Sequence, residues 1–305
     1  MARRTSIGIR RRGCHDSCGG AQLTPSDFVL PESSWPAALP ELHRSLLARI
    51  SRALRANPGI IALAAGGSFI SGTLDEFSDL DLVVVVTPTY WPRVLEDRST
   101  LARTFGPLLA AFTGEHVGEP RLLICLYGPP LVHVDLKFLP PDALDTRVED
   151  PIVLWDRTGL VQRGLARAPA RYPAPDLQWI EDRFWVWVHY AAAKLARGEL
   201  FELLNFLGFL RAQVLGPLAL QEVGAQSNGV RKLEQYAPRR ATELKATLAR
   251  HDRVEAARAL QAAINLYLDL RSEVSASSLV PRPEAQAAAL AFFRDVAEGV
   301  KGTRS

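Results

Sequence analysis

Apolar and polar residues follow each other along the first half of the chain in short blocks that predict an α/β domain. Glu41–Ala56 carries an apolar stripe with helical spacing, which Asn57-Pro58-Gly59 ends. The next two apolar runs, Ile60–Ala65 and Leu80–Val86, have the length of strands, and the second is continuous enough to be buried on both faces. We expect Gly66–Ser78, between them, to be a loop with at most one helical turn.

The same pattern continues with one helix and two strands. Trp91–Phe112 is predicted to be helical, and Leu122–Tyr127 and Leu131–Leu139 are strand-like runs separated by Gly128-Pro129-Pro130, which indicates a hairpin. The order helix, strand, loop, strand, helix, strand, strand predicts an α/β (α+β) unit with a mixed sheet over residues 41–145.

The second half of the chain has a different periodicity. Residues 146–176 are rich in proline and are expected to be a linker with a short strand at Ile152–Trp155. Residues 177–300 show long helical patterns with short connections, which favours an all-α antiparallel bundle as a C-terminal helical domain. The predicted helices are Leu177–Arg197, Leu200–Leu215, Arg239–Arg250, Val254–Val274 and Glu284–Val300.

Composition agrees with a soluble protein of two domains. The chain has 305 residues, of which 48% are apolar and 23% charged. The apolar runs of the first half are far shorter than the roughly 20 residues of a membrane span, so no membrane partner is expected. Residues 1–20 contain five arginines and one aspartate, a net +4 that leaves about −1 of the total +3 for the rest. Since the folded part carries no large basic field, a nucleic-acid partner is not expected.

The cysteines and the N-terminal residues provide no strong candidate for a functional site. Residues 1–40 are expected to be a disordered basic and proline-rich lead-in, without the apolar segment of a secretory signal. Cys14 and Cys18, with His15, resemble a metal site only in part because no second ligand pair follows. Cys125 lies in an apolar run and is expected to be buried. Three cysteines without a framework fit a cytoplasmic location.

Two aspartates at the start of the second strand are the first candidate site. Residues i and i+2 of a strand share a face with Cα atoms about 6.6 Å apart, so Asp79 and Asp81 point the same way. Asp135 interrupts an otherwise apolar strand, and it completes a three-carboxylate cluster if that strand neighbours Leu80–Val86. Such oxygen ligands suit Mg²⁺, and two ions about 3.5–4 Å apart would serve phosphoryl chemistry. Taken alone, the pair of Asp79 and Asp81 is better explained structurally, with Asp79 as a turn or cap residue.

The glycine-rich stretch before these aspartates is the second candidate site. It lacks the Lys of a P-loop and the G-x-G-x-x-G pattern of a dinucleotide fold. Backbone amides of Gly66, Gly67 and Ser68, together with the Ser68 hydroxyl, are predicted to hold the phosphates of a nucleotide, since glycine allows close backbone approach.

These motifs together resemble the DNA polymerase β-like nucleotidyltransferase superfamily. The resemblance rests on "GGS" at 66–68, "SDLDLVV" at 78–84 and "VDLKFL" at 134–139. It implies an enzyme that transfers a nucleoside monophosphate from an NTP and releases pyrophosphate. It also implies that Asp79, Asp81 and Asp135 are catalytic metal ligands and that Asp135 polarises the acceptor hydroxyl.

A narrower resemblance covers roughly Ile60–Ala276. The stretch "FWVWVHYAAAKLARGELFELLNFLGFLRAQVLGPL" at 184–218, "NGVRKLEQY" at 228–236 and "LYLDLRSEVSA" at 266–276 are similar to the aminoglycoside (streptomycin) 6-adenylyltransferases. That family implies antibiotic-resistance-like chemistry, with ATP (or another NTP) as co-substrate, Mg²⁺ as cofactor and a small-molecule hydroxyl as acceptor.

Three residues of the second half are candidates for the same reaction. Lys194 and Arg197 share a helix face near its end and are predicted to bind the triphosphate. Glu199 is the candidate general base. Solvated ion pairs at a helix junction, with Glu202 among them, are the alternative.

Other features leave alternatives open. His133 and His189 are better explained as structural, and Trp179, Trp185 and Trp187 as packing residues than as a stacking surface for a base. Acidic and basic residues are nearly balanced over 176–275, whereas a polycationic acceptor favours an acidic pocket. Asp142, Asp145, Glu149 and Asp150 are either a pocket rim or loop surface.

Two other functions fit the same motifs. One is a non-catalytic, antitoxin-like regulator that binds an NTP, and the other is an enzyme that nucleotidylates a protein or tRNA. The sequence indicates neither the acceptor nor an oligomeric state.

Overall fold

The computed structural model describes residues 27–274 and 279–302, which form two compact units divided between Ala170 and Arg171. The predicted fold class is confirmed: a mixed sheet with helices precedes an all-α region. The predicted features of residues 1–26, including the arginine-rich stretch, Cys14 and Cys18, lie outside the described residues.

The first unit is built on a seven-stranded sheet. The strands are β1 (Phe28–Val29), β2 (Ile60–Ala65), β3 (Leu80–Val86), β4 (Leu108–Gly114), β5 (Glu119–Tyr127), β6 (Val132–Leu139) and β7 (Ile152–Asp156). Their spatial order is β1-β7-β2-β3-β6-β5-β4. The β3–β6 pair is parallel and the other described pairs are antiparallel, so the sheet is mixed as predicted.

Helices and short helical turns connect these strands. The helices of this unit are α1 (Glu41–Ala56), α2 (Ser68–Ser71), α3 (Trp91–Arg103) and α4 (Leu160–Arg167). The 3₁₀ turns are Glu32–Ser34, Glu115–Val117 and Pro141–Asp145. The predicted bounds of α1, β2 and β3 are confirmed, because each is a complete apolar pattern between two breakers.

The sheet has one apolar face and one face that is only partly covered. Leu80, Leu82 and Val84 point to the larger core, where they pack with side chains of α1 and α3. Val85 points to a smaller core with residues of α4 and the Pro141–Asp145 turn. Asp81 is on this second face of β3, and the alternation along the strand therefore anchors it between buried residues.

The predicted helix Trp91–Phe112 is wrong in its second half. Helix α3 ends at Arg103, and the chain turns at Gly106-Pro107 before entering β4. Proline cannot donate a backbone hydrogen bond and disfavours helix in the residue before it, so the break follows from local chemistry. β4 has exposed positions on both sides of the strand, so its sequence does not show the apolar alternation from which a strand is predicted.

The short strand predicted within the linker is confirmed as β7, whereas the linker and the lead-in are packed into the first unit more than expected. β7 lies inside residues 146–176, and it pairs with β2 on one side and with the short β1 on the other. Trp35 and Leu39, within the predicted lead-in, are buried in the larger core. Cys125 is buried as predicted, and burial raises the pKa of its thiol to about 12.

The second unit is a helical region with its own core. Its helices are α5 (Leu177–Arg197), α6 (Leu200–Leu210), α7 (Gly216–Glu222), α8 (Leu233–Tyr236), α9 (Pro238–Leu244), α10 (Arg253–Val274) and α11 (Pro283–Gly302). A π-helical turn, Arg211–Leu215, joins α6 to α7, and a 3₁₀ turn, Lys245–Thr247, follows α9. The predicted helix Arg239–Arg250 is thus shorter than expected, while Leu177–Arg197 is confirmed.

One stretch of this unit, Leu200–Glu222, is long and apolar enough to cross a membrane by length and composition, with a mean hydropathy of 1.4. Rather more than half of its most apolar window is buried inside the protein, where Leu203, Leu207 and Leu210 pack in the core. Burial among other helices accounts for this apolar character. The cytoplasmic location stays a prediction.

Candidate active site

The structure brings the three predicted aspartates together. β3 and β6 are parallel neighbours, and Asp81 and Asp135 are direct partners in their register. Asp79 precedes β3 by one residue and faces the same way. One carboxylate oxygen from each of the three lies within 4.8 Å of the others, and all three side chains are half-buried. The i, i+2 spacing in the sequence placed Asp79 and Asp81 on one face of the strand. The pairing of β3 with β6 brings Asp135 to the same place.

Gly67 brings the backbone directly against this cluster. Its φ of +55° and ψ of −131° are strained for residues with a side chain. A Cβ at this position would lie 2.0 Å from Oδ2 of Asp81. Glycine is therefore required here because the loop runs directly against a carboxylate of the cluster.

The backbone amides of the glycine loop are not equally available to a ligand. The Gly66 amide donates to the Asp81 carbonyl at 2.8 Å, which continues the β2–β3 pairing. The Gly67 amide donates to Oε1 of Glu149 at 2.9 Å. Among the described residues, no partner accepts from the Ser68 amide at the start of α2. The prediction that all three amides face phosphates thus needs correction for Gly66, whose donor is used by the sheet.

His133 contacts the cluster directly, although the sequence favoured a structural role for it. Its Nε2 lies 2.9 Å from Oδ1 of Asp135, two residues along the same face of β6. The i, i+2 spacing that pairs Asp79 with Asp81 was also the signal for this contact. His133 is half-exposed and limits the rotation of the Asp135 carboxylate.

His43 supports the cluster from behind and was missed by the sequence analysis. This α1 residue is 2% exposed, and its Nε2 lies 2.8 Å from the carbonyl oxygen of Ser78, directly before Asp79. Because a carbonyl only accepts, Nε2 carries the proton. Nδ1 is buried and has no hydrogen-bond partner in the described part of the chain. As the residue sits within an apolar helical stripe, its spacing gave no hint of a contact 35 positions away.

The segment between the glycine loop and β3 is held by its own turn. Oδ1 of Asp75 accepts hydrogen bonds from the Phe77 amide and the Ser78 hydroxyl. Together with His43, this turn fixes the backbone that leads into Asp79.

A second charged group lies further along the same face of β6. Lys137 forms an ion pair with Glu119 of β5 at 2.9 Å, and Arg121 binds the same carboxylate at 2.6 Å. The hydrogen bond from Arg121, followed by that from Lys137, lowers the pKa of Glu119 to about 2 although burial raises it.

The acidic residues that follow β6 are mostly engaged within the protein. Glu149 accepts from Gly67, Asp150 pairs with Arg147, and Asp145 lies 3.7 Å from Arg167. These contacts favour loop structure over a free acidic rim for a polycation.

In the second unit, the predicted triphosphate and base residues contact each other. Lys194 Nζ lies 2.6 Å from Oε2 of Glu199, and Arg197 lies 3.7 Å from the other oxygen. The hydrogen bond raises the pKa of Lys194 and lowers the pKa of Glu199. Glu202 accepts from the Tyr190 hydroxyl. The structure thus shows the ion pair that the sequence left as an alternative, and the catalytic roles stay predictions.

The aromatic residues of the second unit mainly pack. Trp185 is buried, and its ring is edge-on to Phe184, which stacks on Tyr267 at 3.7 Å. Trp179 is 42% exposed and lies 5.5 Å from Trp187 between ring centroids. His189 contacts Phe292.

Comparison with known proteins agrees with the geometry of the first unit. Residues 47–102 match the family model of the nucleotidyltransferase domain, and this segment contains the glycine loop, Asp79 and Asp81. The chain therefore carries a nucleotidyltransferase domain with the aspartate cluster in place, and it is an enzyme of the nucleotidyltransferase class.

Whole-chain comparison gives a more distant likeness. The crystal structure of an aminoglycoside 6-adenyltransferase from Bacillus subtilis is 15% identical, with a TM-score of 0.33, over 85% of this chain and 97% of that chain. No curated protein sequence matches the chain.

Proposed function

We propose that this enzyme is a Mg²⁺-dependent nucleotidyltransferase that transfers NMP, with AMP the expected nucleotide, from an NTP to a hydroxyl of a small molecule. Pyrophosphate leaves as the second product. The observation that carries this proposal is the convergence of three carboxylates within 4.8 Å, directly against a glycine loop with a positive φ.

The donor set fits a divalent cation. Asp79, Asp81 and Asp135 offer only oxygen ligands, which Mg²⁺ prefers over nitrogen or sulfur. When bound, the metal would neutralise charge on the phosphates and increase the acidity of the acceptor hydroxyl. The half-buried position of the aspartates keeps their oxygens accessible to a ligand from the partly covered face of the sheet.

The glycine loop is proposed to receive the phosphates. Ser68 offers its amide and its hydroxyl, and Gly67 lets the phosphates approach the backbone closely, whereas Gly66 acts by its small size. An amide donor is suited to phosphate oxygens because a hydrogen bond to an ionised acceptor is stronger than one to a neutral acceptor.

Asp135 is proposed to orient the acceptor hydroxyl and to attract its proton. The contact from His133 to Oδ1 holds the carboxylate in one rotation, so the position of its oxygens is defined before the substrate arrives.

Lys194, Arg197 and Glu199 are proposed as contributors from the second unit, the cations for the triphosphate and the carboxylate as base. The ion pair with Lys194 makes Glu199 less basic, so this role would require the pair to separate. An aminoglycoside is one proposed acceptor, supported by the sequence resemblance over Ile60–Ala276.

An acceptor screen tests the proposal. Labelled ATP, GTP and CTP would be incubated with the full chain, Mg²⁺ and a panel of hydroxyl compounds that includes aminoglycosides. Pyrophosphate release and label transfer would be measured together. We expect one NTP and one acceptor class to give both signals, and chelation of Mg²⁺ to abolish them. NTP binding without pyrophosphate release for any acceptor, with protein and tRNA included in the panel, would contradict transferase activity and favour an NTP-binding regulator.

A further inference from the structure

The Gly67 amide is already occupied by an anionic side chain of the same unit. Glu149 is 82 positions away in sequence, between β6 and β7, yet its Oε1 accepts from the Gly67 amide at 2.9 Å. The same oxygen lies 2.5 Å from the position that a Cβ at residue 66 would take. Glu149 therefore reaches directly into the turn that is proposed to receive phosphates.

The charge of Glu149 is poorly compensated at this position. Within the described residues it forms no ion pair. Arg147, two positions earlier, is engaged with Asp150 and with the carbonyls of Leu144, Leu165 and Ala168. Asp81 lies on the other side of the same glycine turn. Asp81 places a second carboxylate at the same turn, and like charges repel each other.

A carboxylate oxygen and a phosphate oxygen would each accept a hydrogen bond from the Gly67 amide. Both are ionised acceptors, and one N–H directed at an acceptor serves one of them well. A nucleotide brings its own cation, which offsets the repulsion from the aspartates, whereas Glu149 does not. The triphosphate is therefore the better occupant once it is present.

We propose that Glu149 occupies the place of a phosphate oxygen at Gly67 in the nucleotide-free enzyme and is displaced when the NTP binds. The inference rests on the proposed function, since it assigns Gly67 to phosphate binding. Glu149 thus acts as an internal competitor that weakens NTP affinity, because only the fraction of molecules with a vacated amide binds the triphosphate fully.

Nucleotide affinity of matched variants tests this inference. Glu149→Ala removes the competitor, and Glu149→Gln keeps its shape and an acceptor oxygen but removes the charge. Glu96→Gln is the control: it makes the same chemical change on an exposed residue of α3, which packs against the other face of the sheet. The full chain would be titrated with MgATP and, separately, with inorganic tripolyphosphate by calorimetry.

We expect Glu149→Ala to bind MgATP about five- to tenfold more tightly than the wild type, as loss of a competing charge-assisted hydrogen bond implies. Glu149→Gln should tighten binding less, tripolyphosphate should show the same order, and Glu96→Gln should match the wild type. Unchanged or weaker binding in both Glu149 variants would overturn the inference and make Glu149 a support of the loop or part of the nucleotide site.

The proposed function and this inference fail in different ways. A wild-type enzyme that binds MgATP and releases pyrophosphate, with no tightening in either Glu149 variant, overturns only the role of Glu149. A chain that binds neither MgATP nor tripolyphosphate in any variant overturns both.

Discussion

Two clusters of three carboxylates, one in each unit, show that acidic residues gather for different reasons. In the second unit, Glu222, Glu243 and Glu273 surround Arg240, which is 3% exposed and bonds to all three. In the first unit, Asp79, Asp81 and Asp135 converge beside a glycine loop. The glutamate cluster around Arg240 joins helices α7, α9 and α10, whereas the aspartate cluster lies on one face of a sheet.

The two clusters differ in the groups that their carboxylates contact. Burial lowers the pKa of Arg240, but the hydrogen bonds that it donates to Glu222 and Glu243 more than compensate, and its pKa is raised overall. Its charge is thus a permanent part of the fold. The aspartate cluster combines oxygen ligands with a loop that a Cβ would obstruct, which is the arrangement that the proposed cation and phosphate site requires. Clustered acids therefore indicate function only together with their neighbours.

The largest expected effect is on activity in the aspartate cluster. Asp79→Asn and Asp81→Asn keep the size of the side chain but remove a charged ligand, so each should reduce nucleotidyl transfer about a thousandfold. Thermal unfolding should change little, since neither residue is in the apolar core. Activity within tenfold of the wild type in both variants would refute the assignment of this cluster.

The opposite result is expected for Arg240. Arg240→Met removes the buried partner of three glutamates and leaves them only the exposed Arg239, at 3.5–3.7 Å. It should lower the free energy of unfolding by about 2 kcal/mol, less than for a fully buried pair because the glutamates are partly exposed. Urea denaturation measures the loss. Activity per folded molecule should remain that of the wild type, and a selective loss of activity would break the comparison.

His43 gives an intermediate case, in which a buried residue supports the site without touching a ligand. His43→Ala removes the hydrogen bond to Ser78 and should raise the Mg²⁺ concentration for half-maximal activity about tenfold, as loss of an outer support does in metal sites. His43→Gln can still donate and should recover part of this loss.

A matched control separates positioning by His43 from general destabilisation. Leu46→Ala opens a cavity one turn along the same helix and should cost about 2–5 kcal/mol of stability. Its Mg²⁺ dependence should match the wild type at a temperature where both are folded. Equal Mg²⁺ dependence in His43→Ala and Leu46→Ala would leave His43 with a purely structural role.

The smallest effect concerns Glu119, whose ion pairs lie beside the site. Since its pKa is about 2 in the folded state, below its ordinary value near 4.5, it stabilises the fold above that ordinary value and loses this effect as the pH falls toward 2. Glu119→Gln should therefore lower stability by about 1 kcal/mol at neutral pH, since Arg121 and Lys137 are partly exposed. The difference in urea midpoint should shrink between about pH 4.5 and pH 3, and a constant difference would exclude the ion pairs as its cause.

Local patterns predicted the parts of the fold that depend on neighbouring residues in sequence. β3 and α5 were predicted with their observed bounds because each is a full apolar pattern between breakers. The pairing of β6 with β3 could only be stated as a condition, since strand order is set by packing between distant segments. β4 was wrongly predicted as the end of a helix for the same reason. Its pairing with β5 determines its structure more than its amino-acid composition does.

The candidate site shows the same limit. The cluster of Asp79, Asp81 and Asp135 followed from spacing and one assumption about strand order. His43 and Glu149 could not be found this way, because their contacts cross 35 and 82 positions and involve backbone groups that carry no sequence signal.

Metal binding to the aspartate cluster is the most direct test of the central claim. Mn²⁺, a spectroscopic substitute for Mg²⁺, would be titrated into the full chain and followed by electron paramagnetic resonance. Asp81→Asn would be compared with Glu243→Gln from the Arg240 cluster, where the same loss of one carboxylate falls on a site that already holds its cation. We expect the wild type and Glu243→Gln to bind Mn²⁺ alike and Asp81→Asn to bind it at least about tenfold more weakly. Equal Mn²⁺ affinity in Asp81→Asn and the wild type would contradict the account.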